Sequence, residues 1–190
     1  MASIKFNNIE VFDSNGKVTA SGMPSKSVLK VVQEIKPDKQ AITGSTSATT
    51  FADITGLEAS LTPSSASNKI LVFCSIMSGA SAYHNFLKLR AKTGSGSYAD
   101  VSGALGTHST KTSQTKVWGG IPGGFADGAS METTTLMYLD SPNTTEERFY
   151  NVQACNRYSG TCTINYGSDD NDAFYIGQGI SSITLMEIKG

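Results

Sequence analysis

The run Lys69-Ile70-Leu71-Val72-Phe73-Cys74-Ser75-Ile76-Met77 decides how the chain is read. From residue 70 to 77 it holds one hydroxyl and no charge. As a strand it is apolar on both sides: Ile70, Val72, Cys74 and Ile76 face one way, Leu71, Phe73 and Met77 the other. A lone sandwich covers one face of each strand. A second layer is therefore expected over Leu71, Phe73 and Met77. Either a neighbouring subunit supplies it, making these the subunit-interface residues, or a long loop of the same chain does.

Outward from this run the pattern stays that of strands. No window of twelve residues carries apolar spacing of three and four with good helix formers between. Short alternating or apolar runs are separated instead by Gly, Ser, Asn and Pro, as in an all-β sandwich or barrel. The expected strands are 28–35, 51–61 (broken at Gly56), 69–77, 86–92, 98–105, 115–118, 133–139, 148–155, 161–166, 174–177 and 182–188. So many strands overfill one sheet and suit two, so the fold class is all-β: an antiparallel two-sheet β-sandwich, jelly-roll-like.

Residues 148–166 read as a hairpin turning at Arg157-Tyr158-Ser159-Gly160. A three-residue loop ending on a left-handed Gly160 sets Val152 against Tyr166 and Ala154 against Ile164. The alternative register mixes faces, so the apolar match selects this one. Cys155 and Cys162 then point to opposite faces and cannot join.

The opening differs. Ile4, Phe6, Ile9 and Val11 are apolar, but Asn7-Asn8 interrupts them and Asp13-Ser14-Asn15-Gly16 is a turn signal. Residues 1–27 are expected to be an extended arm with a hairpin, too short for a core of its own. Its apolar residues need a partner surface. Residues 28–190 form the sandwich, with a Ser/Thr-rich spacer at 43–50.

Composition removes several function classes. The 190 residues carry 15 Lys+Arg and 16 Asp+Glu, a net charge of −1 with no basic run, which argues against binding a phosphate backbone. Ser and Thr number 45 and Asn 10, so the surface is hydroxyl-rich rather than salt-bridged. The eight-residue apolar stretch is far short of a membrane span, and the first residues lack the order of a signal peptide. Three cysteines make no disulfide framework and read as reduced, buried thiols.

Chemistry is sparse. The two histidines, His84 and His108, lie in no nucleophile or zinc motif. Asp169, Asp170 and Asp172 cluster without the spacing of a calcium loop. Gly119-Gly120-Ile121-Pro122-Gly123-Gly124 has no Gly-Lys-Ser/Thr. No metal, cofactor or catalytic residue is expected. Trp118, Phe125 and Tyr98 are the candidate ligand residues, with flat rings that suit a glycan, although Trp118 equally suits a core or interface. A depolymerase would need paired carboxylates about 5–10 Å apart, and Glu146-Glu147 and Asp169-Asp170 are sequence neighbours whose side chains would alternate faces.

Several phrases resemble a known group. They are the opening Met1-Ala2-Ser3-Ile4-Lys5-Phe6, Val28-Leu29-Lys30-Val31-Val32-Gln33, the stretch from Thr55-Gly56-Leu57 through Thr62-Pro63-Ser64-Ser65 to Lys69-Ile70-Leu71-Val72, Tyr138-Leu139-Asp140-Ser141-Pro142, and Thr184-Leu185-Met186-Glu187-Ile188. Residues 28–190 resemble small virion structural proteins of tailed bacteriophages, especially those of cyanobacteria and other aquatic bacteria. The arm more loosely resembles the virion-attaching starts of phage fibre proteins. The resemblance implies a fibre, neck or head-surface component in the virion, made in the host cytoplasm. It implies a homotrimer and carries over no functional residue. The apolar arm residues Ile4, Phe6, Ile9 and Val11 are the ones expected to dock on other virion proteins, and distal loops are expected to be free to touch a host-surface glycan. A capsid decoration (cement) protein and a stand-alone carbohydrate-binding module are the other readings.

Overall fold

The computed structural model describes the chain apart from residues 1–2, 8, 16, 20–21, 45–49, 82–83, 108–109, 112, 122–127 and 158–159, and apart from the side chains of Phe6 and Ala80. Two short strands, β1 (Ile4–Phe6) and β2 (Ile9–Phe12), form a two-stranded sheet of their own, extended by a bridge from Phe12 to Val18. Then come β3 (Val28–Lys36), β4 (Gln40–Thr43), β5 (Ala52–Leu61), β6 (Lys69–Ala80), β7 (Asn85–Thr93), β8 (Ala99–Asp100), β9 (Gly119–Ile121), β10 (Glu132–Asp140), β11 (Arg148–Asn156), β12 (Thr161–Ile164) and β13 (Ser181–Ile188).

The first sheet runs β3-β13-β6, with β10 on the far edge of β6. At its other end β12 bridges β6 to β4. The second sheet runs β5-β11-β7, with β8 and β9 side by side along the outer edge of β7. Every pairing is antiparallel. The order β3-β13-β6-β10 over β5-β11-β7-β9, in which neighbours in the sheet are distant in the chain, is that of a jelly roll.

Period-two alternation explains the core. On β6, Ile70, Val72, Cys74 and Ile76 are fully buried. They meet Leu87, Leu89, Tyr150, Val152 and Ala154 from the second sheet in one apolar cluster. Gly56 does not break β5. It takes φ +80° in the irregular stretch opposite Val152, where a left-handed residue lets the strand continue around a bulge.

The expected hairpin at 148–166 is not formed. Strand β11 lies in the second sheet, and β12 lies in the first beside β4 and β6. Val152 and Ala154 do share a core with Cys162 and Ile164, but from opposite sheets rather than as neighbours in one. Alternation is satisfied equally by either arrangement, and the sandwich contact won. Tyr158 and Ser159 of the expected three-residue loop lie outside the described residues. The cysteines are free and buried, as expected, though not for the register reason.

Other expectations also shift. Residues 115–118 are not a strand, and β9 follows them. Only Ala99–Asp100 of 98–105 pairs, before a short 3-10 turn at Ser102–Ala104. Residues 174–177 form a turn closed by the Ile176 amide donating to the Ala173 carbonyl, 3.0 Å. Strand β4 is additional.

Candidate functional site

The outer face of the first sheet carries the feature anticipated from residues 69–77. Cross-strand register places Val31, Met186, Leu71 and Leu139 in one row across β3, β13, β6 and β10. The next row is Gln33, Thr184, Phe73 and Met137, and the third Ile35, Ser182, Ser75 and Thr135. These twelve positions hold no charged side chain. Val31 is 57% exposed, Ile35 50%, Met137 62% and Leu139 44%, and Leu71, Phe73 and Met186 are half-buried. Isolated exposed apolar residues are ordinary on a surface, and a contiguous apolar row is a candidate for contact.

Met77 stands apart from its two companions. A Cβ built on Gly179 would lie 1.9 Å from its sulfur, so the chain's own loop between β12 and β13 already covers it. The loop alternative thus describes Met77, while the row around Leu71 and Phe73 stays open.

One end of this face meets the arm. The Lys26 amide donates to the Lys189 carbonyl at 2.8 Å, the Lys189 amide donates back to Ser27 at 2.9 Å, and the Lys189 ammonium bonds the Met23 carbonyl. These contacts pin the root of the arm beside an apolar cavity of about 450 Å³ lined by Leu71, Leu139, Ile188 and the stem of Lys69. Beyond the root, Ile4 is 58% exposed and Ile9 49%, whereas Val11 is half-buried.

The outer face of the second sheet is its opposite in character. Lys88 pairs with Asp100 at 2.6 Å, and Arg90 reaches Asp100 at 3.7 Å and Asp53 at 4.0 Å. The Lys88 ammonium sits 4.6 Å from the Phe51 ring, and Lys92 lies between Tyr98 at 4.9 Å and Phe149 at 4.6 Å. Asn151 and Gln153 donate to Asp53 at 3.1 and 2.9 Å. Burial, and then the Glu58 carboxylate beside it, raise the Tyr98 phenol above its ordinary pKa. Such exposed pairs add little stability each, yet they give the face a solvated surface.

The pole opposite the arm is organised by Asn165. Strand β6 spans from the arm's pole to this one, roughly 35 Å at strand rise. Asn165 is fully buried with φ 69°, a conformation that asparagine tolerates. Its side-chain amide donates to the Lys36 and Asp38 carbonyls at 2.8 and 2.9 Å, its side-chain oxygen accepts from Ser181 Oγ at 2.6 Å, and its backbone amide donates to Met77 at 2.8 Å. One residue thereby ties together the ends of β3, β6 and β13. Beside it Lys39 pairs with Asp170 at the edge of a polar cavity of about 280 Å³ shared with Asn171, Asp172 and Gln178. At the tip Phe174 is 102% exposed and meets Tyr175, 64% exposed, edge-to-face at 5.4 Å.

The other candidate residues are scattered. Trp118 packs half-buried against the core, its amide donating to the Leu87 carbonyl at 2.8 Å. Tyr98 lies on the outer face of the second sheet, so the two rings do not form one platform. Phe125 and His108 lie outside the described residues. His84 holds φ 65° before β7, and its carbonyl accepts from the Arg157 amide. Among the described residues no three His, Cys, Asp or Glu come together as metal ligands. Sequence reasoning missed Val31, Ile35, Met137, Leu139 and Met186, because alternation within each strand does not say which strands adjoin β6.

No protein-family model and no curated protein matches the chain. Among solved structures it is similar to one titled "Structure of infectious bursal disease virus Gx strain", with TM-score 0.40 and 10% sequence identity over 99% of this chain. The chain spans 45% of that neighbour's length. So slight a likeness carries no weight for function.

Proposed function

We propose that the chain is a non-enzymatic structural protein of a virus particle, of the tailed-phage fibre or neck type, assembled as a homotrimer with its arm as the assembly element. The observation that carries this is the row Val31–Met186–Leu71–Leu139, uncharged and open beside the root of an arm on which Ile4 and Ile9 are exposed. A jelly roll also serves lectins and enzymes, so the fold supports the reading only by analogy. The phrases that resemble those of phage virion proteins support the particle assignment.

A second reading has an observation of its own. The polar cavity at Asp170, Asn171, Asp172 and Gln178, beside the exposed rings of Phe174 and Tyr175, offers the hydroxyl partners and stacking surface that a glycan takes. It lies at the pole away from the arm, where a host-surface contact would sit.

Light scattering on a size-exclusion column tests the first reading. A mass near three times 20.0 kDa is expected, and a mass near 20.0 kDa overturns it. Peptides of this chain in purified particles, at tens of copies or fewer, separate fibre from cement, which would give hundreds.

A further inference from the structure

Among the described residues one chain exposes two apolar surfaces: the row on the first sheet, and Ile4, Ile9 and Val18 on and beside the N-terminal hairpin. We infer that the row on one copy is covered by the hairpin of a second copy. This rests on the assembly reading above and names the arm's acceptor.

Area argues for a strand pair from elsewhere rather than a simple face-to-face contact. Four strands about 4.8 Å apart, over rows spanning four residues at about 3.4 Å each, make a patch on the order of 400 Å² with side-chain margins. A stable interface needs about 800 Å² from each partner. The open row alone falls short, so each copy must bury a second surface as well, here against a second neighbour.

The hairpin is that second surface. It exposes Ile4, Ile9 and, just past β2, Val18 (51%), and it lies in a two-stranded sheet that is marginal by itself in water. Its root at residues 24–27 is held to the C-terminal strand beside the apolar cavity, so the donor surface of each copy borders its own acceptor surface. Copies related by a rotation can then each give an arm to one neighbour and take one from the other. This heterologous contact closes into a ring.

The test uses cysteine variants at exposed positions in the full chain. Cys74, Cys155 and Cys162 are all buried, which leaves a maleimide reagent to introduced thiols. Ile9→Cys is co-expressed with a longer-tagged Met137→Cys chain and treated with a short bismaleimide. The expected product is a cross-linked band of one long and one short chain, lost when Ile9→Cys is paired with Tyr175→Cys, 64% exposed at the pole away from the arm. Cross-links only between like chains, or a double variant Ile9→Cys/Met137→Cys linked only within one chain, overturn the exchange. If that happens while the mass stays near three times 20.0 kDa, the assembly reading survives and only the arm's acceptor is wrong. A mass of 20.0 kDa for the untreated full chain overturns both.

Discussion

The Tyr150 hydroxyl donates a 2.7 Å hydrogen bond to the Asp140 carboxylate, joining the last residue of β10 in one sheet to β11 in the other. Both residues are buried, and Arg148 reaches the same oxygen at 3.4 Å. Burial, and then the neighbouring carboxylate, push the phenol well above its ordinary pKa, so it stays a donor throughout the working pH range. Removing it with Tyr150→Phe deprives a buried carboxylate of its best donor. The expected loss is about 1.5–3 kcal/mol by urea titration, with an unchanged denaturant slope. A loss under about 0.5 kcal/mol would mean that Arg148 and the Ser141 amide satisfy Asp140 without it.

Glu187 should make stability fall in acid. One of its oxygens accepts from the Ser64 amide at 2.6 Å, the Ser64 hydroxyl at 2.7 Å and the Asn68 amide at 2.6 Å. Burial pushes the carboxyl upward, but these donors and Lys30 outweigh it and hold it below the ordinary value of 4.5. Its contribution is therefore complete above pH 4.5 and disappears as pH falls through the lower folded value. Glu187→Gln should flatten that part of the stability-pH curve. An unchanged acid limb would show that other carboxylates set it.

Asn165 separates conformation from hydrogen bonding. Asn165→Gly keeps the left-handed backbone and loses three side-chain bonds, while Asn165→Ala loses the same bonds and also strains φ. Both should destabilise, with Ala worse than Gly by about 1 kcal/mol in thermal or urea melts. Equal losses would mean the loop between β12 and β13 relaxes its backbone.

The thiols should be silent in the native protein. Burial raises Cys74 well above the ordinary thiol value and, together with the nearby Cys155, pushes Cys162 up to about 12. A buried protonated thiol is a poor nucleophile. Ellman's reagent should find no fast-reacting group at pH 8 and three after denaturation. Rapid labelling of the native chain would instead reveal local opening.

The open row predicts a solubility effect as well as an assembly effect. Phe73→Asp puts a charge at the centre of the uncharged face without touching the core. Light scattering should show the assembled fraction falling at least tenfold with the melting temperature of the separated chain little changed. Unaltered assembly would exclude this face from the contact.

Much was legible in the sequence alone. Lys69–Met77 reads as a strand with a second apolar face and lies within β6, and the opening, set apart by its broken alternation, begins with the hairpin of β1 and β2. The pairing of β11 was not legible, because Val152 and Ala154 match Ile164 as well across a sandwich as beside it in a hairpin. Phe174–Gly177 looked like a strand for its apolar residues, yet Phe174 stands wholly in solvent on a turn.

By itself the sequence determined the all-β class, the strand faces along most of the chain and a near-zero net charge. These follow from alternation and composition, which are local properties of the chain. Only the tertiary structure decided that Val31, Met186, Leu71 and Leu139 share one row, that Met77 is covered by Gly179, and that the arm's root and the Asn165 cluster occupy opposite poles. Each of these depends on which strands adjoin in a sheet, and in a jelly roll adjoining strands are far apart in sequence. Their pairing is settled by the sum of core contacts and by no single stretch of residues.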